Sequence, residues 1–411
     1  MRLKSCIAIG TFLALSLTAC GGSAPQGAAA PDTADTSGTI KIGSIHPLTG
    51  ALAFDGQQMS KAIKFAAEEI NNAGGIKSLG GAKLEILDAD SQGKPEVGQS
   101  EAQRLTQAGA VALVGPYQSA VAAQVATVAE RNKVPFVIDV GSADDILKQG
   151  YTYTFRLQPS SDALGRFGAR YLKELADRTG QKITKVAYLH EQTDYGTSTY
   201  ASFSDEAAKL GLEVGPQITY DAFKAADLTT ELTKVKAAGV DALAVTGYYR
   251  DGLLTAKAIA SVQPGVKVVF GVSHGAFSSP VFPRDGGAVA EGIYDSNFNY
   301  DATKPESKAV LDAFQAKHGE ELRFIPFTSY ECVRLLAAAL EKAASRDPAK
   351  IREALAGISF DTLLAFDGPV QFDETGQNKN ATPVVLQVQD GKVVPVHPAA
   401  KAVAEPRPAA E

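Results

Sequence analysis

A chain of 411 residues is long enough for two ordinary domains with full cores, and a net charge of −6 without any basic run argues against a nucleic-acid surface. There is no Trp and there are three Cys. Cys6 and Cys20 lie at the start of the chain, so the folded body has one thiol, Cys332, and an internal disulfide within it is excluded.

The N-terminus carries an address. Arg2 and Lys4 precede an apolar run over residues 7–17, too short to span a bilayer and suited to a signal peptide. It ends in Leu17-Thr18-Ala19-Cys20, which looks like a bacterial lipobox, with cleavage before Cys20 and a diacylglycerol on its sulfur. The plain alternative is an ordinary secretory signal with a chance Cys. The Gly-, Ala- and Ser-rich stretch that follows, lacking hydrophobic periodicity, favours a lipid-tethered body. Residues 1–19 are therefore read as signal peptide and 20–38 as tether, with the protein extracytoplasmic and touching the membrane only through its lipid.

From residue 40 the chain alternates strand, loop and helix. A β-branched strand over 40–45 leads through Pro47-Leu48-Thr49-Gly50 to a helix from about Gly56, with Met59, Ile63, Ala66 and Ile70 on its buried face and Gly74-Gly75 after its end. Strands at 83–87, 110–114 and 134–138 alternate with helices at 95–107 and 120–131. Apolar runs such as 110–114 suit strands covered on both faces. After an extended stretch around Phe155-Arg156-Leu157, a helix start at Ser160 opens a second run of the same kind. Its strands fall at 185–189, 213–218, 242–245 and 267–270, with helices at 163–177, 198–210, 228–237 and 253–261. Short connections and this alternation predict an α/β fold with parallel sheets covered by helices on both faces. Residues 291–295 read as a further extended crossing. Helices follow at 306–317, 328–344 and 349–356. A final hairpin joins 384–388 to 392–396 through Asp390-Gly391. The Ala/Pro-rich tail over 398–411 is expected to be disordered.

No nucleophile elbow, zinc-binding His pair or phosphate loop occurs, so no enzyme activity, metal or cofactor is expected. Cys332, in an apolar helical run, reads as a buried core residue. Asp88 and Asp90 could hold a metal, but carboxylates at a strand end more often cross-link loops. Among the five His, His46 and His274 fall at strand ends, where clefts form.

Ligands of open parallel sheets bind beyond the carboxyl ends of the strands, where helix N-termini offer free N–H groups to anions. The loop Gly115-Pro116-Tyr117-Gln118-Ser119 supplies such amides and a hydroxyl, and Gly141-Ser142 supplies a second set. Ser119 and Ser142 either cap their own helices or hold a carboxylate; their equivalent placement favours the ligand. Tyr195, Tyr248 and Tyr249 occupy the matching loops of the second unit, either packing the sheet edge or lining a cleft.

The stretch IGSIHPLTGALAFDGQ…INNAGGI, a strand ending in Asp, and GPYQSAVA resemble the type I periplasmic solute-binding proteins of branched-chain amino acid ABC transporters, such as the leucine/isoleucine/valine-binding protein. The resemblance runs from about residue 40 to 396. It implies two Rossmann-like lobes joined by three hinge crossings, closing on a ligand that passes to a membrane permease. Its lobes would be 39–158 with 296–365, and 159–295 with 366–397. Carried over residue by residue, it assigns the ligand carboxylate to Ser119 and the amino acid backbone to Gly141 and Ser142. It places a first-loop aromatic at Phe54 or Asp55, and second-lobe aromatics at Tyr195 and at Tyr248 or Tyr249. Tyr117, Gln118, Ser273 and His274 complete the candidate ligand-binding set. Where amino-acid binders of the family carry an acid for the ligand ammonium, this chain has Gly271-Val272-Ser273-His274-Gly275. A buried ammonium without a counter-charge is costly. Unless Asp55 or Asp194 substitutes, the ligand would be an aromatic or aliphatic acid lacking an α-ammonium. The function implied is capture of an amino acid or related small carboxylate for import; the alternative of another class is a ligand-sensing receptor component of the same fold.

Overall fold

The computed structural model describes residues 38–408. The signal peptide, the tether up to residue 37 and the lipidation of Cys20 lie outside the described residues.

The first half of the body alternates strongly. β1 (Ile40–His46), α1 (Ala53–Asn72), β2 (Leu84–Asp90), α2 (Pro95–Gln107), β3 (Ala112–Gly115), α3 (Ser119–Asn132), β4 (Phe136–Ile138) and β5 (Thr154–Arg156) follow one another. They form a parallel five-stranded sheet in the order β2-β1-β3-β4-β5. Side chains alternate across a strand. Ile40 and Ile42 of β1 therefore enter one core, with Met59 and Ile63 of α1, and Ile45 enters the opposite one, with Leu105 of α2 and Val125 of α3. Two buried layers flanking one sheet explain the unbroken apolar runs. Gly56, in the first turn of α1, is required by contact: a Cβ there would lie 2.1 Å from the Pro47 carbonyl oxygen. Its absence lets the helix press onto the loop that follows β1.

The second run comprises α4 (Ser161–Arg178), β6 (Lys185–Glu191), α5 (Asp194–Lys209), β7 (Glu213–Tyr220), α6 (Thr229–Ala238), β8 (Ala242–Thr246), α7 (Tyr249–Val262), β9 (Val268–Val272), the short α8 (Phe282–Gly286) and β10 (Tyr294–Asn297). Ser160 caps α4 by accepting the Ala163 N–H at 3.1 Å. The chain then builds α9 (Pro305–His318), α10 (Phe324–Ala343) and α11 (Pro348–Ala356), and ends in β11 (Val384–Gln389) and β12 (Lys392–His397). The second sheet runs β12-β11-β10-β9-β8-β6-β7, with β11 antiparallel to both its neighbours, β10 and β12, and the other pairings parallel. The hairpin between them turns on Asp390 and Gly391, both with positive φ (52° and 71°). α10 packs along α1 and returns the chain to the first lobe, with Cys332 fully buried in it.

Three sequence expectations are corrected. Residues 294–297 are a strand of the second sheet, paired with β9 and β11, and the crossing back to the first lobe follows them. Residues 366–378 do not join the second lobe. Arg156 N–H donates to Gly376 O (2.8 Å), Asn378 N–H to Arg156 O (3.0 Å), and the Phe372 ring lies 5.0 Å from that of Phe155. β5 would otherwise be an open edge, and this segment covers it. The tail over residues 398–408 packs against the body: Val403 N–H reaches Pro395 O at 2.9 Å, Gln387 exchanges bonds with Arg407, and Lys401 pairs with buried Asp301 at 2.6 Å. Side-chain amides satisfy its backbone, so the tail needs no hydrophobic period of its own.

Candidate functional site

The carboxyl ends of the two sheets face one small cavity between the lobes, the setting in which ligands of open parallel sheets bind. The first lobe contributes Tyr117, Ser119, Val140 and Ser142; the second contributes Tyr195, Gly247, Tyr248, Ser273 and Gly275. The last residue of β10 adds Asn297, the crossing after it adds Phe298, and the first turn of α10 adds Phe324 and Ile325. The lobes are closed over it. Tyr117 meets Tyr248 edge-on with ring centres 5.5 Å apart, and Phe54 meets Tyr249 at 4.5 Å. Gly275 sits at the contact, where a Cβ would lie 3.0 Å from the Tyr117 hydroxyl and 2.9 Å from Tyr249 N. A side chain there would hold the lobes apart.

The first-lobe wall is rigid. Ser119 is the first residue of α3, and the Gln118 side chain before it makes no cap. Ser119 Oγ accepts the N–H groups of Ser142 and Ala143, both at 3.1 Å. The carbonyls of Ser142 and Ala143 in turn accept Arg156 Nη1 at 2.7 and 2.8 Å, while Arg156 Nε reaches Gln377. Arg156 is buried, and burial pushes its pKa down to about 10. Beneath this wall, His46 Nε2 meets Asp139 Oδ2 at 2.7 Å, and Ser329 of α10 donates to the same oxygen at 2.6 Å. That buried triad ties β1, the end of β4 and α10 together.

The second-lobe wall rests on buried carboxylates committed to their own loops. Glu191 accepts Thr193 N–H and Gly196 N–H, both at 2.7 Å, and opens α5. Asp251 accepts Tyr248 N–H at 2.9 Å and opens α7. Asp295 accepts His274 N–H (3.0 Å), Ser278 Oγ (2.6 Å) and Asn297 Nδ2 (3.1 Å). Burial raises the pKa of all three, Asp251 and Asp295 to about 7. The Tyr195 hydroxyl donates to Ser273 O, joining α5 to the loop after β9. Ser273 itself has a positive φ of 58°, a strained setting for a Ser.

Six of the ten sequence candidates meet at this cavity: Tyr117, Ser119, Ser142, Tyr195, Tyr248 and Ser273. Four lie elsewhere. Phe54 sits half-exposed at the rim, under the Arg323 guanidinium at 3.8 Å. Gln118 turns away to Gly93 O. Gly141 lies behind the wall, donating to Pro116 O and accepting from Gln158. His274 is fully buried and stacked on Phe277 at 4.0 Å. Its Nδ1 accepts Ala276 N–H, and burial pushes its pKa down to about 3. His46 is likewise removed from the cavity. Of the two alternatives in α1 and α7, Asp55 pairs with Arg323 at 3.1 Å, and Tyr249 donates to Asp285 at the rim. Asp90, considered for a metal, instead accepts Leu48 N–H, Thr49 Oγ1 and Gln92 N–H, cross-linking its loop.

Besides Val140, Gly247 and Gly275, which adjoin or nearly adjoin named candidates in their loops, the lining residues not anticipated are Asn297, Phe298, Phe324 and Ile325, with Arg156 as their counterpart behind the wall. A signal existed for two of them. Pro326 suits the first turn of a helix, which moves the start of α10 back to Phe324.

Comparison with known proteins places this architecture. A family model described as periplasmic binding protein matches residues 39–392. The chain is similar to Leu/Ile/Val-binding protein homolog 7 of Brucella abortus (strain 2308), 29% identical over 392 residues that cover 93% of this chain and 96% of the relative. It is similar to the branched-chain amino acid transporter substrate binding protein LivJ from Streptococcus pneumoniae, solved with isoleucine: TM-score 0.74, 26% identity, 86% of this chain and 97% of that one. It also shares its fold with an R. palustris ABC transporter solute binding protein solved with benzoate: TM-score 0.76, 20% identity, 89% of this chain and 98% of that one. With most of its length matched by the family model, and two α/β lobes closed over one cavity, this chain belongs to the periplasmic binding protein family.

Proposed function

We propose that the protein is the extracytoplasmic solute-binding component of an ABC importer, closing its lobes over an amino acid or a related small carboxylate and presenting it to a membrane permease. The observation that carries this reading is the first-lobe wall. Ser119 Oγ accepts two N–H groups, so its own proton remains free to donate, at the N-terminus of α3 beside the cavity. That arrangement suits a carboxylate without a cationic side chain. The ligands solved with the two similar structures, isoleucine and benzoate, share a carboxylate on an apolar body.

The motif Leu17-Thr18-Ala19-Cys20 supports a lipid anchor at Cys20, and the membrane contact would be that anchor alone. The lining groups are engaged with neighbouring backbone or are phenols and amides, which supports binding rather than turnover.

Ser119→Ala tests the reading. Calorimetric affinity for a bound carboxylate is expected to fall by about 1–3 kcal/mol, the loss typical of a hydrogen bond to a charged group. Unchanged affinity in the folded variant would remove Ser119 from the site.

A further inference from the structure

Capture of a small carboxylate leaves the rest of the solute's charge undecided. Resting on that reading, we propose that the cavity selects a monocarboxylate with an aromatic or branched apolar body and rejects the α-amino acid of the same skeleton.

The first observation is the field inside the cavity. Four helices direct their N-termini at it: α3 through Ser119, α5 through Tyr195, α7 through Tyr248 and α10 through Phe324 and Ile325. Each N-terminus carries about half a positive charge, which favours an anion and opposes a cation. Among the described residues that line the cavity, none is charged.

The second observation is the direction of the free hydrogen bonds. The Ser119 proton is unspent, and the Tyr117 hydroxyl, on a residue only 5% exposed, lies beside the Asp55 carboxylate without a hydrogen bond of good geometry. Both are donors. Three carbonyl oxygens of the wall already accept: Ser273 O from Tyr195, Gly247 O from Gly275 N–H at 2.8 Å, and Asn297 Oδ1 from Phe298 N–H at 3.0 Å and Ser273 Oγ at 3.3 Å, which leaves neutral hydroxyl oxygens as the wall's remaining acceptors. An ammonium needs acceptors, and above all a counter-charge, to leave water.

The third observation accounts for the carboxylates that could have supplied one. Asp55 is neutralised by Arg323, with both side chains buried. Glu191, Asp251 and Asp295 point to backbone donors of their own loops, and none lines the cavity. Asp194 is exposed at the start of α5. For the body of the solute, the wall offers the rings of Tyr117, Tyr195, Tyr248, Phe298 and Phe324.

The test is calorimetric titration of the full-length protein with two matched pairs, 3-phenylpropanoate against phenylalanine and 4-methylpentanoate against leucine. The acid of at least one pair is expected to bind about 30-fold or more tighter than its amino acid, the scale of an uncompensated buried charge. An amino acid that binds as tightly as its acid, or tighter, overturns this inference and leaves the proposed function standing. If none of the four binds, both fall. Ser273→Asp is a second arm, because Asp tolerates the left-handed backbone of Ser273. It should narrow the acid-to-amino-acid ratio by about tenfold, and an unchanged ratio in the folded variant counts against charge as the discriminator.

Discussion

The first lobe meets the cavity with hydroxyls and main-chain amides, held in place by Arg156 on the carbonyls of Ser142 and Ala143. The second lobe meets it with the phenol rings of Tyr195 and Tyr248, whose loops are held from behind by Glu191, Asp251 and Asp295. The supporting charges thus have opposite sign, and in both walls they are spent on backbone rather than turned to the solute. The contrast suggests a division of labour. The first wall is a preorganised receptor for a head group, while the second is an apolar cover that gains its contacts on closure.

The contrast breaks most severely at the charge pair nearest the rim. Asp55 and Arg323 are buried side by side, and the guanidinium also reaches Phe54 O at 2.7 Å and stacks on the Phe54 ring. Burial raises the Asp55 pKa, and the adjacent guanidinium holds it back. Asp55→Asn leaves Arg323 buried without its counter-charge and should cost about 3–5 kcal/mol of stability in a urea titration. A loss below about 1 kcal/mol would mean that the pair is solvated.

Tyr248→Ala addresses the opposite wall. It removes a buried ring that meets Tyr117 and Tyr195. Affinity should fall by about 2–3 kcal/mol, the worth of one large buried side chain. Measured with 4-methylpentanoate and with its amide, the loss should be the same, because the ring covers the body of the solute. Ser119→Ala should weaken the acid more than the amide. If both variants discriminate alike, the two walls do not divide the work.

A smaller effect appears in pH dependence. Asp295, held near 7 by burial, keeps its proton in the fold where the unfolded chain has lost it. Between about pH 4 and 7 this group makes the folded state bind more protons than the unfolded one, so its contribution to stability falls as pH rises, by at most about 1.4 kcal/mol per unit. His274, held down to about 3 by burial, acts in the opposite sense below pH 6.5, so the informative quantity is a difference between proteins. Asp295→Asn should gain stability relative to the parent as pH rises from 5 to 7. A constant difference across that range would show that Asp295 is already ionised.

Much of this architecture is legible in the chain itself. The strand–loop–helix alternation, the Ser160 cap and the Asp390-Gly391 hairpin all read directly from local chemistry. The strands extend beyond their apolar runs at the carboxyl end: β2 through Asp88-Ala89-Asp90, β6 through His190-Glu191, and β8 through Thr246. These polar residues brace loops, with His190, Glu191 and Thr246 buried and Asp88 and Asp90 partly exposed, so a hydrophobic pattern stops short of the strand ends where the site begins. Ser119, Ser142, Tyr195 and Tyr248 were legible because they follow strands in the first pass of each lobe. Asn297 and Phe298 were not, since β10 has only four residues and reads as a crossing. The position of His274 was legible but its orientation was not. Stacking on Phe277 and the Ala276 amide turn the ring into the core, and a residue's place in a loop says nothing of which way its rotamer points.

The central claim is that the first lobe holds the head group and the second covers the body. A crystal structure of the protein with 3-phenylpropanoate tests it most directly. The account predicts the carboxylate within hydrogen-bond distance of Ser119 Oγ and the phenyl ring among Tyr195, Tyr248 and Phe298. A carboxylate turned toward Ser273 and Asn297, with the ring against Ser119 and Ser142, would contradict it.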